Sequence, residues 1–240
     1  MSDLPAGWRM LVHDQLPSTA DLLRERAEAG EPERLAILAR RQTAGRGTRG
    51  RHWESPPGNL SLSVLLRPAA PVREVPQWGL LVAVALHSAL EPHAAGLCLK
   101  WPNDLLLGGA KCAGILAEAA LSAEGRLDWL ALGIGVNLAF APEVPGRRTA
   151  ALPPPALPPE RAAAALLASL DHWRAVREAE GFAAIRRAWL ERGPAPGTPT
   201  TVTGPRGTVT GAFEGLDETG ALRLRTALGM ETVTAGDVHA

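Results

Sequence analysis

The sequence predicts an α+β protein. A mixed, largely antiparallel sheet with helices on one face is expected over residues 1–192, and a small β barrel over residues 193–240. Three observations predict it. Short apolar runs bounded by Gly, Pro and Asn recur through the first part of the chain, as strands do. Helical patterns lie between and after them rather than alternating strictly with them. Past Gly193-Pro194 the chain turns to Thr, Val and Gly with turn signals every few residues, the signature of a small all-β module. A length of 240 residues suits one large domain, or a medium domain plus a small one.

The elements follow in order. WRMLVH at 8–13 reads as a short strand. Ser18-Thr19 offers a helix N-cap, and ADLLRERAEAG continues as a helix stopped by Gly30. RLAILARR at 34–41 reads as a strand. A Gly- and Arg-rich loop spans 42–58. NLSLSVLLR at 59–67 alternates and predicts a half-buried strand. A helix follows over 75–90. LCLKW at 97–101 and NDLLL at 103–107 are strands interrupted at Pro102, and Gly108-Gly109 marks a hairpin turn. KCAGILAEAAL at 111–121 and DWLALGIGVNL at 128–138 are strands joined by SAEGR. Residues 141–160 hold seven of the 21 prolines and exclude regular helix or central strand; they are expected to wrap the first domain. A helical stretch from Arg161 to Arg192 is expected to break near Gly181. Leu166, Leu170, Trp173, Ile185 and Trp189 form its buried face.

Composition excludes several classes. Hydrophobic residues at 46% and charged residues at 21% argue against wholesale disorder. The net charge of zero argues against a general polyanion binder. No apolar run approaches the roughly 18 residues of a membrane span, the longest being Gly79–Leu86. MSDLPAGWRM carries no basic-then-apolar signal, so a cytoplasmic protein is expected. Cys98 and Cys112 are too few for a disulfide framework, and the six histidines show no ligand spacing.

The cation usage is informative. Lys and Arg together number 25, yet only Lys100 and Lys111 are lysines. Drift toward Arg removes Lys wherever either serves. A compact ammonium at a reacting centre is not such a place, because guanidinium is planar, wider and weakly hydrated. The two lysines lie 11 residues apart with Asn103 between them. A second cluster sits in the loop. Six arginines (34, 40, 41, 46, 49, 51) and no acid lie between Glu33 and Glu54, and Gly45, Gly47 and Gly50 punctuate the last three. Glycine lets backbone N–H groups turn toward an anion, and Arg adds forked, charge-assisted hydrogen bonds. The loop joins two strands and lacks Walker or dinucleotide spacing. A nucleic-acid-binding Arg–Gly segment is the plain alternative. Trp53 and the flanking strands favour a small-ligand phosphate site.

The segment RQTAGRGTRGRHWESPPGNLSLSVLL resembles the adenylate-binding loop of biotin–protein ligases. STAD at 18–21, KWPNDLLL at 100–107, KCAGILAE at 111–118 and GIGVNL at 133–138 follow in family order, and the C-terminal module resembles the family's SH3-like domain. The resemblance implies a biotin- and Mg-ATP-dependent enzyme. It would form biotinyl-5′-AMP and then transfer biotin to a lysine of the biotin carboxyl carrier protein of acetyl-CoA carboxylase.

It also implies a site. Lys111 would bridge the biotin carboxylate and the α-phosphate, with Arg51 and Lys100 as further catalytic cations; for Lys100 a strand-end salt bridge is the alternative. Ser18, Thr19, Gln42, Gly45, Arg46, Gly47, Thr48 and Gly114 would join Lys111 around biotin. Arg49, Arg51, Trp53, Lys100, Asn103 and Asn137 would hold ATP and the adenylate. For Trp53 a simple core role is the alternative. Asp104 would hold Mg²⁺ together with phosphates and water. Cys112 is read as a small strand residue rather than a nucleophile, since no histidine is patterned to activate it.

Two departures from the family pattern stand out. Thr48 replaces an arginine of the usual G-R-G-R-R-G-R loop, and Ala20 stands where Asn is frequent. Only seven residues precede Trp8, which implies a ligase with no DNA-reading head; a homodimer is compatible with the resemblance, and neither DNA nor membrane is an expected partner. A lipoate–protein ligase shares the adenylate chemistry, but KWPND with GRG-x-RGR favours biotin. A non-enzymatic RNA binder is disfavoured by zero net charge and the absence of interleaved aromatics.

Overall fold

The computed structural model describes residues 4–155, 157–205 and 207–239; the opening residues 1–3 of the N-terminal stretch read above, and residue 240, lie outside them. Strands β1 (Arg9–His13), β2 (Leu35–Ala39), β3 (Leu60–Leu66), β4 (Leu97–Lys100), β5 (Asp104–Leu107), β6 (Ala110–Leu121) and β7 (Leu127–Val136) form one sheet in the order β1-β2-β3-β7-β6-β5-β4. Only β1–β2 is parallel. The β5–β6 connection turns through Gly108 (φ +56) and Gly109 (φ +76), the two left-handed positions of a tight hairpin turn.

Helix α1 (Thr19–Glu28) starts at Ser18, whose extended backbone and hydroxyl cap the Asp21 N–H. Helices α2 (Val75–Leu90), α3 (Pro159–Glu180) and α4 (Phe182–Arg192) complete the domain, and α3 and α4 part at Gly181 (φ +74) as expected. Proline occupies the N-cap and first turn of α3, where its missing N–H costs nothing, so the helix begins two residues earlier than expected.

The sheet is covered on both faces, not one. Leu60, Leu62, Val64 and Leu66 of β3 and Leu130, Leu132, Ile134 and Val136 of β7 share one core with α2, α3 and α4, of which α3 lies against β3, α2 against β4, β5 and β6, and α4 against β4. α1 lies on the opposite face, with Leu23 and Ala27 against Leu35, Ile37, Leu65, Trp129 and Ala131. Strand β3 is therefore buried at all seven positions rather than at alternate ones. α2 is apolar around most of its circumference because it sits between the sheet and the other two helices.

A second, antiparallel sheet of β8 (Pro199–Gly204), β9 (Gly207–Leu216), β10 (Leu222–Thr226), β11 (Gly229–Val233) and β12 (Asp237–His239) runs in the order β11-β10-β9-β8-β12. It docks on the first domain: the Trp101 indole N–H, in the β4–β5 turn, donates to Gly220 O at 3.1 Å, and Trp189 of α4 packs on Phe213.

Candidate active site

The strand phase beside α1 decides the cleft floor. Leu60, Leu62 and Leu66 of β3 point to the α2–α4 layer, so Ser61 and Ser63 point the other way, and in β7 the same phase exposes Gly133 and Gly135. Register pairs Ser61 with Gly135 and Ser63 with Gly133, and Gly135 in turn with Gly114 of β6. The result is a floor of small residues under a cleft of about 420 Å³.

A polar network closes one end. The Thr19 N–H donates to Gln42 Oε1 at 2.8 Å, the Thr19 hydroxyl reaches the same oxygen at 3.1 Å, and Thr19 Oγ1 lies 2.8 Å from Ser63 Oγ. Gln42 Nε2 donates to Ser55 Oγ at 3.0 Å. Ser18 and Thr19 are each 3% exposed, and Ser18 serves as the helix cap while lining the cleft. The hydroxyl of Ser61 is buried without a partner among the described residues.

Lys111 reaches the cleft because β6 is bulged. Leu105 pairs with Ala113 and Leu106 with Lys111, so Cys112 has no partner in the ladder. Strict alternation would set Lys111 and Ala113 on one face; the bulge instead turns Lys111 and Gly114 into the cleft and Cys112 into the core. Lys111 Nζ donates to Asp104 Oδ1 at 2.5 Å and lies 5.6 Å from the Trp53 ring centre. Cys112 is fully buried, and burial pushes its thiol up to about 12, which leaves no thiolate to act as a nucleophile near neutrality.

Trp53 lines the cleft and is only partly buried, so it is not a core tryptophan. Its ring rests on the glycine floor. A Cβ on Gly135 would stand 2.4 Å from the ring, and one on Gly114 would stand 3.2 Å from Lys111 Nζ. Gly45 is required for another reason: a Cβ there would meet Trp53 O at 2.4 Å.

The arginine loop is held by acids. Arg46 pairs with Asp21 of α1 and lies 3.7 Å from Glu118. Thr48–Gly50 forms a short 3-10 turn with Arg49 in the left-handed region (φ +59). The Arg51 guanidinium donates to Thr48 Oγ1 at 2.8 Å and to Thr48 O at 3.2 Å. Arg51 and Arg49 also reach Asp237 of β12, at 3.2 Å and 2.5 Å. The second sheet thus anchors the loop of the first domain.

Of the expected residues, Ser18, Thr19, Gln42, Arg46, Gly47, Thr48, Arg51, Trp53, Asn103, Lys111, Gly114 and Asn137 line the cleft together. Gly45, Arg49, Lys100 and Asp104 flank that lining. Lys100 is half-buried at the end of β4 and makes no ion pair among the described residues. Burial lowers its pKa, opposed by Asp104 and aided by Lys111 and Arg147. The Asn103 and Asn137 amide nitrogens donate to Ile115 O and Ala150 O, at 2.7 Å and 3.1 Å. Asn137 Oδ1 is buried without a partner among the described residues, which leaves an acceptor for a ligand. Asp104 stands beside Lys111 and, among the described residues, belongs to no cluster of three metal-ligating side chains. Ser61, Ser63, Gly133, Gly135 and Arg147 also line the cleft, and Asp237 holds its loop; the serine alternation in LSLSV and the G-x-G of GIGV signal the first four, and nothing local signals Asp237 or Arg147.

Known proteins resemble this chain along its length. The model of the biotin/lipoate A/B protein ligase family matches residues 12–137, and that of the biotin protein ligase C terminal domain matches residues 197–239. A biotin–[acetyl-CoA-carboxylase] ligase of Paracoccus denitrificans is 40% identical, across 84% of this chain and 88% of that one. A bifunctional ligase/repressor of Bacillus subtilis is 33% identical across 97% of this chain and 74% of its own. Among solved structures, a biotin protein ligase from Aquifex aeolicus in complex with biotin and ATP superposes with a TM-score of 0.81 at 26% identity, covering 96% of this chain and 97% of that one.

Proposed function

The chain belongs to the biotin/lipoate A/B protein ligase family, and we propose how its cleft works as that of an ATP-dependent biotin–protein ligase. Biotin and ATP form biotinyl-5′-AMP, and biotin then passes to a lysine of a carrier protein. The observation that carries the reading is the position of Lys111. It stands between a closed polar end, built from Thr19, Gln42 and Ser63, and an open mouth lined with arginines. The closed end offers donors and acceptors to the ureido ring, and the small-residue floor receives the fused rings. The carboxylate then arrives at the Lys111 ammonium.

Carboxylate and triphosphate repel, so the site must neutralise both before they meet. Lys111 reaches both anions as a compact charge, Arg49 and Arg51 take phosphate oxygens in exchange for Asp237, and Arg46 stays beside biotin. Lys100 adds positive field from behind. Asn137 Oδ1, with Asn103, faces the adenine as an acceptor for its amino group. Mg²⁺ suits one or two carboxylates plus phosphate and water, and Asp104 is the carboxylate that would hold it; the ion would offset triphosphate charge.

The carrier is read as the biotin carboxyl carrier protein of acetyl-CoA carboxylase, on the likeness to the Paracoccus enzyme. We read the catalytic unit as residues 1–192 and the SH3-like unit as 193–240, supported by α4 ending at Arg192 and the second sheet opening at Pro199. A cytoplasmic setting is part of the reading, supported by the two free cysteines. A homodimer through a sheet edge is supported by Leu11 and Val12, exposed on edge strand β1. Sedimentation equilibrium checks it: a monomer with and without biotin and ATP removes the dimer from the reading.

The function is tested by biotin-dependent exchange of labelled pyrophosphate into ATP. Exchange is expected with biotin and not with lipoate. Exchange driven by lipoate alone would replace the reading with the lipoate one.

Thr48 supplies a second expected result. Its hydroxyl holds Arg51, but it brings no charge of its own to the adenylate. A charge-assisted contact contributes about 1.5–3 kcal/mol. Thr48→Arg is therefore expected to slow biotinyl-AMP release by about tenfold or more. Rapid dilution of the loaded enzyme measures it. An unchanged or faster off-rate would mean that Arg46, Arg49 and Arg51 already close the loop fully.

A further inference from the structure

Each cation lining the cleft has a carboxylate partner except one. Lys111 is held by Asp104, Arg46 by Asp21, and Arg51 by Asp237. Arg147 also lines the cleft, yet it is exposed and makes no ion pair or side-chain hydrogen bond among the described residues. Nor is its position that of a loose loop. Pro145 and Gly146 (φ +72) fill the centre of a turn closed by the Arg147 N–H on Val144 O at 3.0 Å. The next residues are fastened to Lys111 itself: the Lys111 N–H donates to Arg148 O and the Ala150 N–H to Lys111 O, both at 2.9 Å. The backbone thus carries Arg147 alongside the strand that presents Lys111. Arg148 lies on the other side of this segment, toward Gly109, and does not line the cleft. The charge of Arg147 is also felt at Lys100, whose pKa it helps to lower.

We propose that Arg147 binds the β- and γ-phosphates of ATP and the departing pyrophosphate, an inference that rests on the adenylating function given above. The reaction fixes what is needed there. A carboxylate oxygen bonds to the α-phosphorus, the bond from that phosphorus to the α–β bridging oxygen breaks, and the electron pair leaves on that oxygen. No proton is required; the α-phosphate keeps its charge in the adenylate, and pyrophosphate carries four: the three of the β- and γ-phosphates plus the one that entered with the carboxylate, now on the former bridging oxygen of the β-phosphate. A guanidinium free of internal carboxylates meets that charge with two parallel hydrogen bonds and has no partner to give up first. The other cations must exchange an acid for the ligand. Arg147 therefore acts on the leaving group, and Lys111 on the carboxylate and α-phosphate.

The two half-reactions separate this role from a structural one. Arg147→Ala is expected to raise KM for ATP and the inhibition constant of pyrophosphate about tenfold each. Biotin affinity and the transfer of biotin from preformed biotinyl-AMP to carrier should stay at wild-type values, because neither involves pyrophosphate. Arg147→Lys should recover part of the loss by keeping the charge. Equal loss in both half-reactions, or a raised KM for ATP with unchanged pyrophosphate inhibition, overturns the assignment; the second pattern would place Arg147 on the nucleoside instead. Unchanged values in Arg147→Ala overturn it as well. A wild-type chain without biotin-dependent pyrophosphate exchange would instead remove the function on which the assignment rests.

Discussion

Lys111→Ala is expected to slow the formation of biotinyl-AMP by about 10²–10³-fold, the usual cost of removing one group that stabilises charge in a transition state. Lys111→Arg is expected to cost at least about tenfold, roughly 1.4 kcal/mol in the barrier, although it keeps the charge. The reason is local. The bulge at Cys112 delivers the ammonium to one point, 2.5 Å from Asp104 Oδ1, and a Cβ on Gly114 would already crowd it. A planar guanidinium is wider and cannot stand between two anions in the same way. Pre-steady-state release of pyrophosphate reads the first step directly. Removing the ammonium also leaves Asp104 without its partner in a partly buried place, so thermal unfolding should accompany the kinetics. A variant that stays folded and adenylates near the wild-type rate would take Lys111 out of the chemistry.

Lys111 was legible in the sequence because a chain with only two lysines keeps one in a patterned segment. Its aim was not. A strand pattern sends Lys111 and Ala113 to the same face, and only the skipped pairing of Cys112 puts Lys111 with Gly114. The strands and helices were legible through periodicity and punctuation: Ser18 at the cap of α1, Gly108-Gly109 at the hairpin and Gly181 at the α3–α4 break all act within a few residues. The placement of α1 on the second face was not, since β3 reads as alternating whether its serines meet water or a cleft. Long-range pairs left no local signal either. Arg49 and Asp237 are 188 positions apart, and nothing near either announces the other. Arg147 lay in a proline-rich stretch whose prolines spoke of irregular backbone, not of the turn that presents the side chain.

The asymmetry of the loop follows from the same long-range pairs. Arg46 is tied to α1 and Glu118, at the biotin end, whereas Arg49 and Arg51 are tied to the second sheet, at the phosphate end. The loop therefore spans the cleft between two sets of acids. Ligand phosphates compete with those acids, and the loop's closure depends on how much stronger the phosphate contacts are.

Gly135→Val is expected to raise the Kd for biotin by about 10–100-fold, with little change in fold stability. Gly135 has ordinary strand backbone, so a β-branched residue suits its conformation. The conflict lies above the sheet. The first added carbon alone would stand 2.4–2.7 Å from three atoms of the Trp53 ring, and valine adds two more into the cleft. Trp53 belongs to a loop and can yield, whereas the paired strand beneath cannot. The substitution therefore lifts the ring and fills the floor instead of unfolding the sheet. Overpacking of this kind costs about 1–3 kcal/mol, which here falls on binding rather than folding. Gly135→Ala should give a smaller loss in the same direction. Titration calorimetry with biotin, paired with thermal unfolding, separates the two quantities. Wild-type biotin affinity in the valine variant would mean that biotin does not lie on the row Gly114–Gly135–Ser61, and the closed polar end at Thr19 and Gln42 would then need another ligand.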